Sequence, residues 1–387
     1  MKQSIGIVTL FYRNYNYGGQ LQALAMQKIF EDKGYDSRLV EFIPSRSRYY
    51  LHRMIDLGIV DALKNANNKL KFRWFLRNNP ELHASYKKRI AHFDEFMSSI
   101  PKTKLYSERE LSIEDPFDAY VCGSDQVWNP AWWNDILLLN FTKKPKFAYA
   151  ASIARESLTK KEEDYLRNSL KEYVGISTRE MAAQKMLQGV LNKEVQWCLD
   201  PTILVNVEYW ESIVELSKIS EKYLLVYNLG HSSALVDTIC EVVEEKGYKI
   251  VFIGFGHNTY FMTKKQKESQ VVIDAGPKEW LGLIRGAECI LTDSFHGTVF
   301  SILFRKKVWC IEKDIEKKNN ENTRLYSLLD SLNLRDRFLR NCEDFDIDKL
   351  IDYTTVEKRL RELKHQSFEY IDECLNLISY DVNKDTK

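Results

Sequence analysis

Proline and glycine are scarce in this 387-residue chain, at 8 and 16 residues. That excludes a collagenous chain, a linker-rich one and a turn-dense all-β protein. The cysteines number seven, an odd count, and no two of them form a CxxC pair. Neither a disulfide frame nor a cysteine zinc site is supported. Cysteines set in apolar runs, as Cys289 and Cys310 are, read as reduced, buried small hydrophobes of a cytoplasmic protein. No run approaches the roughly 18 uncharged apolar residues of a membrane-spanning helix. The opening MKQSIGIVTLF lacks the small-residue cleavage pattern of a signal peptide and reads as a first β-strand. An excess of one charge is missing too: 56 Lys and Arg against 55 Asp and Glu leave a formal net charge of +1. No global field draws a polyanion, which argues against a dedicated nucleic-acid binder. Phosphate-loop, HExxH and GxSxG motifs are absent, and no carboxylate pair stands out by its spacing.

What is present suffices for packed cores: 44% of residues are hydrophobic and 12% aromatic. At roughly 150 residues per domain the length suggests about two or three domains. A strand at Ile5–Leu10, a turn at Asn16–Gly19, a helix at Gln20–Lys33 and a strand at Ser37–Phe42 open a doubly wound sheet, with further strands at Ala119–Cys122 and Lys146–Ala150. A second such unit runs from Tyr223–Asn228 through Ser233–Lys246 and Lys249–Ile253 to Cys289–Thr292 and Val308–Ile311. The expected architecture is α/β, with two Rossmann-like domains facing a cleft and ligands at the carboxyl ends of the strands. Lys171–Gly175 suggests the boundary, giving domains 1–172 and 173–352. The tail 353–387, with a helical stretch Glu357–Ile378, is expected to pack back across them. An insertion at about 46–92 departs from neutrality. Between Arg46 and Arg89 stand 11 basic against 3 acidic residues, interleaved with aromatics such as Phe72, Trp74 and Tyr86. It reads either as a solvated helical insertion or as a face for phosphate-bearing partners.

Three segments carry chemistry. In Thr292-Asp293-Ser294-Phe295-His296-Gly297 a strand runs into a helix start, where free N–H groups and the helix dipole suit an anion and His296 can move a proton. The competing reading is an N-cap at Asp293 or Ser294 with a passive histidine. In Ile176-Ser177-Thr178-Arg179-Glu180 an arginine at a helix start is unfavourable unless an anion compensates it. A substrate carboxylate or phosphate would do so, as would an internal Arg179–Glu180 arrangement. In Gly123-Ser124-Asp125-Gln126-Val127-Trp128, polar groups and an indole emerge from a strand end. They suit a sugar, or form a capped turn over a core tryptophan. Asn16-Tyr17-Gly18-Gly19 occupies the equivalent strand end of the first unit, and Asp200-Pro201-Thr202 reads as a strand terminator. The remaining histidines are scattered and read as surface or packing residues.

NYGGQLQALA, GSDQVWNP, ISTRE, TDSFHG and Asn322-Thr323-Arg324, in this order over most of the chain, resemble the polysaccharide pyruvyl transferase family. The resemblance implies a fold similar to glycosyltransferase type B. It also implies transfer of pyruvate from phosphoenolpyruvate onto two hydroxyls of a sugar, in a surface polysaccharide or its lipid-linked precursor. A cyclic ketal forms, phosphate is released, and no metal or other cofactor is needed. On this reading His296 is catalytic and Arg179, Ser177, Ser294 and Gly297 hold the donor. Asp125, Ser124, Gln126, Asn16 and Gly18 face the acceptor. Many members carry Arg-Leu-His where this chain has Ser294-Phe295-His296, so the donor charge must be met elsewhere. The implied partners are phosphoenolpyruvate, a sugar acceptor that a lipid diphosphate could carry, and an anionic membrane surface touched from the cytoplasmic side, with no nucleic acid. A nucleotide-sugar-dependent glycosyltransferase and a non-catalytic glycan-binding relative are the alternatives.

Overall fold

A computed structural model describes residues 2–43, 67–68, 70–131, 133–230, 234–254, 262–313 and 322–385. Short, continuous apolar runs become strands because parallel sheets are covered by helices on both faces and have no polar side to alternate. Tyr223–Tyr227 and Cys289–Thr292, for example, are buried at every position.

The first sheet holds β1 (Ser4–Val8), β2 (Asp36–Leu39), β5 (Ala119–Cys122), β6 (Lys146–Ala151), β7 (Gly175–Thr178) and β8 (Gln196–Trp197) in the order β2-β1-β5-β6-β7-β8, all parallel. The second holds β9 (Tyr223–Tyr227), β10 (Lys249–Ile253), β11 (Gln270–Val272), β12 (Cys289–Thr292), β13 (Lys307–Ile311) and β14 (Phe338–Leu339) in the order β11-β10-β9-β12-β13-β14, again all parallel. Strand order reverses between β1 and β5 in one sheet and between β9 and β12 in the other. Those switch points are where such sheets open a crevice. The α/β class and the two Rossmann-like halves are as the sequence implies.

The boundary expected at residue 172 is corrected. β7 pairs with β6 and β8 with β7, so the first half runs through Trp197 and takes Ser177 and Arg179 with it. Lys171–Val174 is an ordinary loop between the helix Lys160–Leu170 and β7, which begins at Gly175, not a linker.

Of the basic insertion, residues 46–66 and 69 lie outside the described residues. The remainder is helical at 70–77 and continues into the helix α2 below. The pair β3 (Phe42–Ile43) and β4 (Tyr106–Ser107) brackets the insertion at its root.

Five helices position the site. α1 (Tyr17–Asp32) is capped by the Asn16 side chain, which accepts from Gly19 N. α2 (Pro80–Ser98) crosses to the second half at α3 (Pro277–Gly286), where Lys88 pairs with Asp274 at 2.7 Å and His92 pairs with Glu279. α4 (Phe295–Leu303) is capped by Ser294, whose hydroxyl accepts from Gly297 N at 3.2 Å. α5 (Tyr353–Asp385), a stretch without proline or glycine, fastens the halves. At its start the Tyr353 hydroxyl donates to Lys306 O at 2.6 Å in the second half. Farther along, Tyr370 donates to Ala148 O at 2.7 Å and Leu199 N donates to Ser367 in the first. Ile371, Cys374, Leu375 and Ile378 of α5 are buried there. All seven cysteines are free thiols and only Cys342 is exposed.

Candidate active site

The two switch points meet. From the first half, residues following β5, β7 and β8 supply Ser124, Asp125, Arg179, Glu180 and Asp200. From the second, the residues after β12 supply Asp293, Ser294 and His296. α1 joins them: a Cβ built on Gly18 would stand 2.0 Å from His296 Nδ1 and 2.3 Å from its Cγ. Only glycine leaves room for the imidazole, which is why the turn before α1 reads Asn16-Tyr17-Gly18-Gly19.

Arg179 is the hub of the cluster. Its side chain is 1% exposed, and such a cation persists only when paired. Nη1 donates to Asp200 Oδ2 at 2.8 Å and Nη2 donates to Asp125 Oδ1 at 2.9 Å. Nε lies 3.7 Å from Glu180 Oε1, and the guanidinium stands over the Phe295 ring at 4.6 Å. Burial opposes its charge, but Asp125, Asp200 and Glu180 together raise its pKa further. Burial also pushes the Glu180 carboxyl up, against Arg179 and a hydrogen bond from the Ser152 hydroxyl.

Asp200 is the link to the second half. Its Oδ1 accepts from Thr202 N at 3.1 Å and from the Thr202 hydroxyl at 2.7 Å, capping the short helix Pro201–Leu204. Oδ2 takes Arg179 and the Ser124 hydroxyl at 3.3 Å, and faces His296 Nε2 at 3.5 Å. Burial pushes this carboxyl up, yet His296, Arg179 and Thr202 outweigh burial and hold it well below the usual carboxylate range. His296 Nε2 is itself buried and makes no hydrogen bond of ordinary geometry.

Asp293, behind this cluster, accepts from Leu229 N and Gly230 N, each at 2.6 Å. Burial pushes its carboxyl up to about 6, despite those bonds and nearby Lys313. The folded value lies above the unfolded one, so the protonated form favours the folded state. That contribution is whole below about pH 4 and is lost as pH rises through about 6, worth roughly 3 kcal/mol. Urea unfolding should therefore show the stability of the native chain falling relative to Asp293→Asn over that window. A constant difference would refute the assignment.

The expected residues fare differently. His296, Gly18 and Asp125 are brought together, with the Asp125 side chain 15% exposed at the rim. Arg179 is paired with protein carboxylates: in this geometry Nη1 gives one N–H to Asp200 and Nη2 one to Asp125. Ser177 is fully buried, donating to Ala148 O and accepting from Ala150 N. It ties β7 to β6. Ser124 is likewise fully buried and donates to Ala150 O at 2.7 Å, so it faces no acceptor. Ser294 and Asn16 are helix caps, and the Gly297 N–H is taken by Ser294. Gln126 accepts from the Asn129 side-chain amide at 3.0 Å. Trp128 is fully buried core, not a sugar platform. Asp200 was legible only as part of a strand terminator, and that reading says nothing of the cap or of the oxygen between Arg179 and His296.

The comparisons agree with this fold. The UDP-N-acetylglucosamine 2-epimerase of Rickettsia bellii has a TM-score of 0.52 at 12% identity, covering 98% of this chain and 98% of that one. S. aureus MnaA, solved with UDP, has a TM-score of 0.52 at 12% identity, covering 100% of this chain and 98% of that one. At such identities the likeness is one of fold. No curated protein sequence matches the chain. The model of the family described as polysaccharide pyruvyl transferase matches residues 16–314, from the cap of α1 past the histidine of α4. With the motifs in order and their residues gathered at one cleft, the chain belongs to the polysaccharide pyruvyl transferase family.

Proposed function

We propose that the chain transfers pyruvate from phosphoenolpyruvate onto two hydroxyls of a sugar, closing a cyclic ketal and releasing phosphate. Family membership makes it a transferase. The observation that carries the finer reading is His296, whose buried Nε2 lies 3.5 Å from an ionised Asp200 and makes no ordinary hydrogen bond.

An enol phosphate becomes a ketal only if one proton reaches carbon and two leave oxygen. A proton adds to the methylene carbon, using the electron pair of the double bond, and C2 becomes electrophilic. One sugar hydroxyl bonds to C2 and gives up its proton. The C2–O bond to phosphate breaks and phosphate leaves. The second hydroxyl then bonds to C2 and loses its proton. Of the two hydroxyl protons, one balances that consumed at carbon and the other goes to phosphate. His296 is the group that carries the proton, with Asp200 orienting it. The start of α4 presents its positive end to the donor's anionic oxygens. Asp125 is the acceptor contact at the rim, and Arg179 holds both carboxylates in place.

Phosphate release from phosphoenolpyruvate, measured against galactosides, mannosides and glucosides in free, nucleotide-linked and lipid-diphosphate-linked forms, tests this. His296→Asn is expected to lower turnover on the order of a hundredfold. Wild-type turnover in that variant would remove the histidine from the mechanism. The UDP held by the S. aureus neighbour makes a nucleotide sugar the rival donor. Thermal stabilisation by UDP-sugars, with indifference to phosphoenolpyruvate, would decide for it. Stabilisation by an acceptor with no phosphate released would point to a glycan-binding relative.

A further inference from the structure

Chemistry in the cleft makes no use of the helical stretch 70–77. It carries Lys71, Arg73 and Arg77, all exposed, and no acidic residue. None of the three is ion-paired among the described residues. Leu70 is 63% exposed and Trp74 68%. At a spacing of four residues they lie on one face, with Arg77 a further turn along and Arg73 beside them. The inward side is already satisfied: Leu76 is buried, and Phe72 meets Tyr86 of α2 edge to face at 5.6 Å. The stretch is thus held to the protein by one apolar face while a second, apolar and basic, stands in water.

Each simple occupant explains only half of this surface. A soluble polyanion uses the cations but not an exposed indole and leucine. An apolar protein groove uses Leu70 and Trp74 but not three cations clear of any carboxylate. An anionic lipid surface uses both, with the indole at the headgroup boundary and the basic groups among the phosphates. The stretch is also rooted at the site. α2 follows it and reaches Arg89, whose guanidinium stands over the Tyr17 ring at 4.5 Å and donates to Tyr15 O at 2.9 Å. Tyr17 precedes Gly18, the glycine against His296. The nine residue steps from Pro80 to Arg89 span about 14 Å. Among the described residues no helix is long and apolar enough to cross a membrane.

We propose that the face formed by Leu70, Lys71, Arg73, Trp74 and Arg77 docks on an anionic lipid surface and seats the cleft beside it. The proposal stands on this surface and requires nothing of the reaction.

Co-sedimentation of the full chain with vesicles of equal parts phosphatidylglycerol and phosphatidylcholine tests it, at low and at high salt. The chain is expected to pellet at low salt, to be released as salt rises, and to ignore pure phosphatidylcholine. Replacing Lys71, Arg73 and Arg77 by Gln should weaken partition roughly fivefold per residue, on the order of a hundredfold together. Leu70→Ser with Trp74→Ser should weaken it roughly tenfold. His296→Asn should sediment as the native chain does, so loss of transfer and loss of docking are read separately. Failure to pellet at low salt overturns the proposal, as does equal binding to neutral vesicles. Binding that survives the Leu70 and Trp74 changes and is competed by soluble polyphosphate assigns the face to a soluble polyanion, and overturns it too.

Discussion

Asp200→Asn is expected to lower phosphate release from phosphoenolpyruvate on the order of a hundredfold or more, in a chain that still folds. The carboxylate is fully buried and serves both halves at once, through Arg179 Nη1 at 2.8 Å and His296 Nε2 at 3.5 Å. The amide keeps its shape and can still accept from Thr202 through one oxygen, so the helix Pro201–Leu204 stays capped. What it loses is the charge. Arg179 then keeps Asp125 and Glu180 as partners, which limits the cost in stability to about 2 kcal/mol, the worth of one charge-assisted hydrogen bond. His296 loses the only carboxylate paired with it among the described residues. The loss should fall on kcat and leave KM for the acceptor little changed, because Asp200 orients the histidine and is too buried to touch a sugar. A folded Asp200→Asn chain with native turnover would remove Asp200 from the site.

Gly18→Ala should be nearly as damaging, for a steric reason. Within the first turn of a helix alanine is favoured over glycine by about 0.5–1 kcal/mol, so propensity alone predicts a gain. The new methyl would stand 2.0 Å from His296 Nδ1 and 2.7 Å from its Cβ. The imidazole begins on the backbone of α4 and cannot retreat without moving that helix. Displacing it by about 1 Å is enough to cost on the order of a hundredfold in rate, with a further 1–3 kcal/mol or so of overpacking strain. The control is the double variant. In a His296→Gly background all three clashing atoms are gone, and Gly18→Ala should cost much less stability there. Equal destabilisation in both backgrounds would show that the contact between Gly18 and His296 is not what excludes the methyl.

Much of this was open to a reading of the residues. Apolar runs of four to six residues divided by capped turns give parallel strands, since a sheet covered on both faces needs no polar alternation. The order of NYGGQLQALA, GSDQVWNP, ISTRE and TDSFHG was enough to name the family. Ser294 before a helix start had two readings, cap and anion site, and it is a cap. His296 two residues on was singled out beside it.

Other readings failed for identifiable reasons. The segment Lys171–Gly175 resembled a boundary because a polar loop between helix and strand looks the same whether the next strand joins the old sheet or begins a new one. Arg179 was left between a substrate anion and an internal carboxylate, since a cation at a helix start demands one or the other. The demand was real, and Asp125 and Asp200, 54 and 21 residues away, meet it. Asp200 itself was read as a strand terminator, because Asp-Pro-Thr after an apolar run stops a strand and is silent about what the carboxylate meets. Trp128 after a polar turn resembled a sugar platform, but it is buried in the core of the first half, edge to face with Tyr173.

Sequence alone therefore determined the elements, the two α/β halves, the caps and the family. These rest on backbone hydrogen bonding and burial periodicity, which neighbours within a few positions settle. Only the tertiary structure decided which carboxylates neutralise Arg179, which one faces His296, and why residue 18 must be glycine. Those depend on groups brought from distant strand ends into van der Waals and ionic contact, over distances that no local pattern encodes.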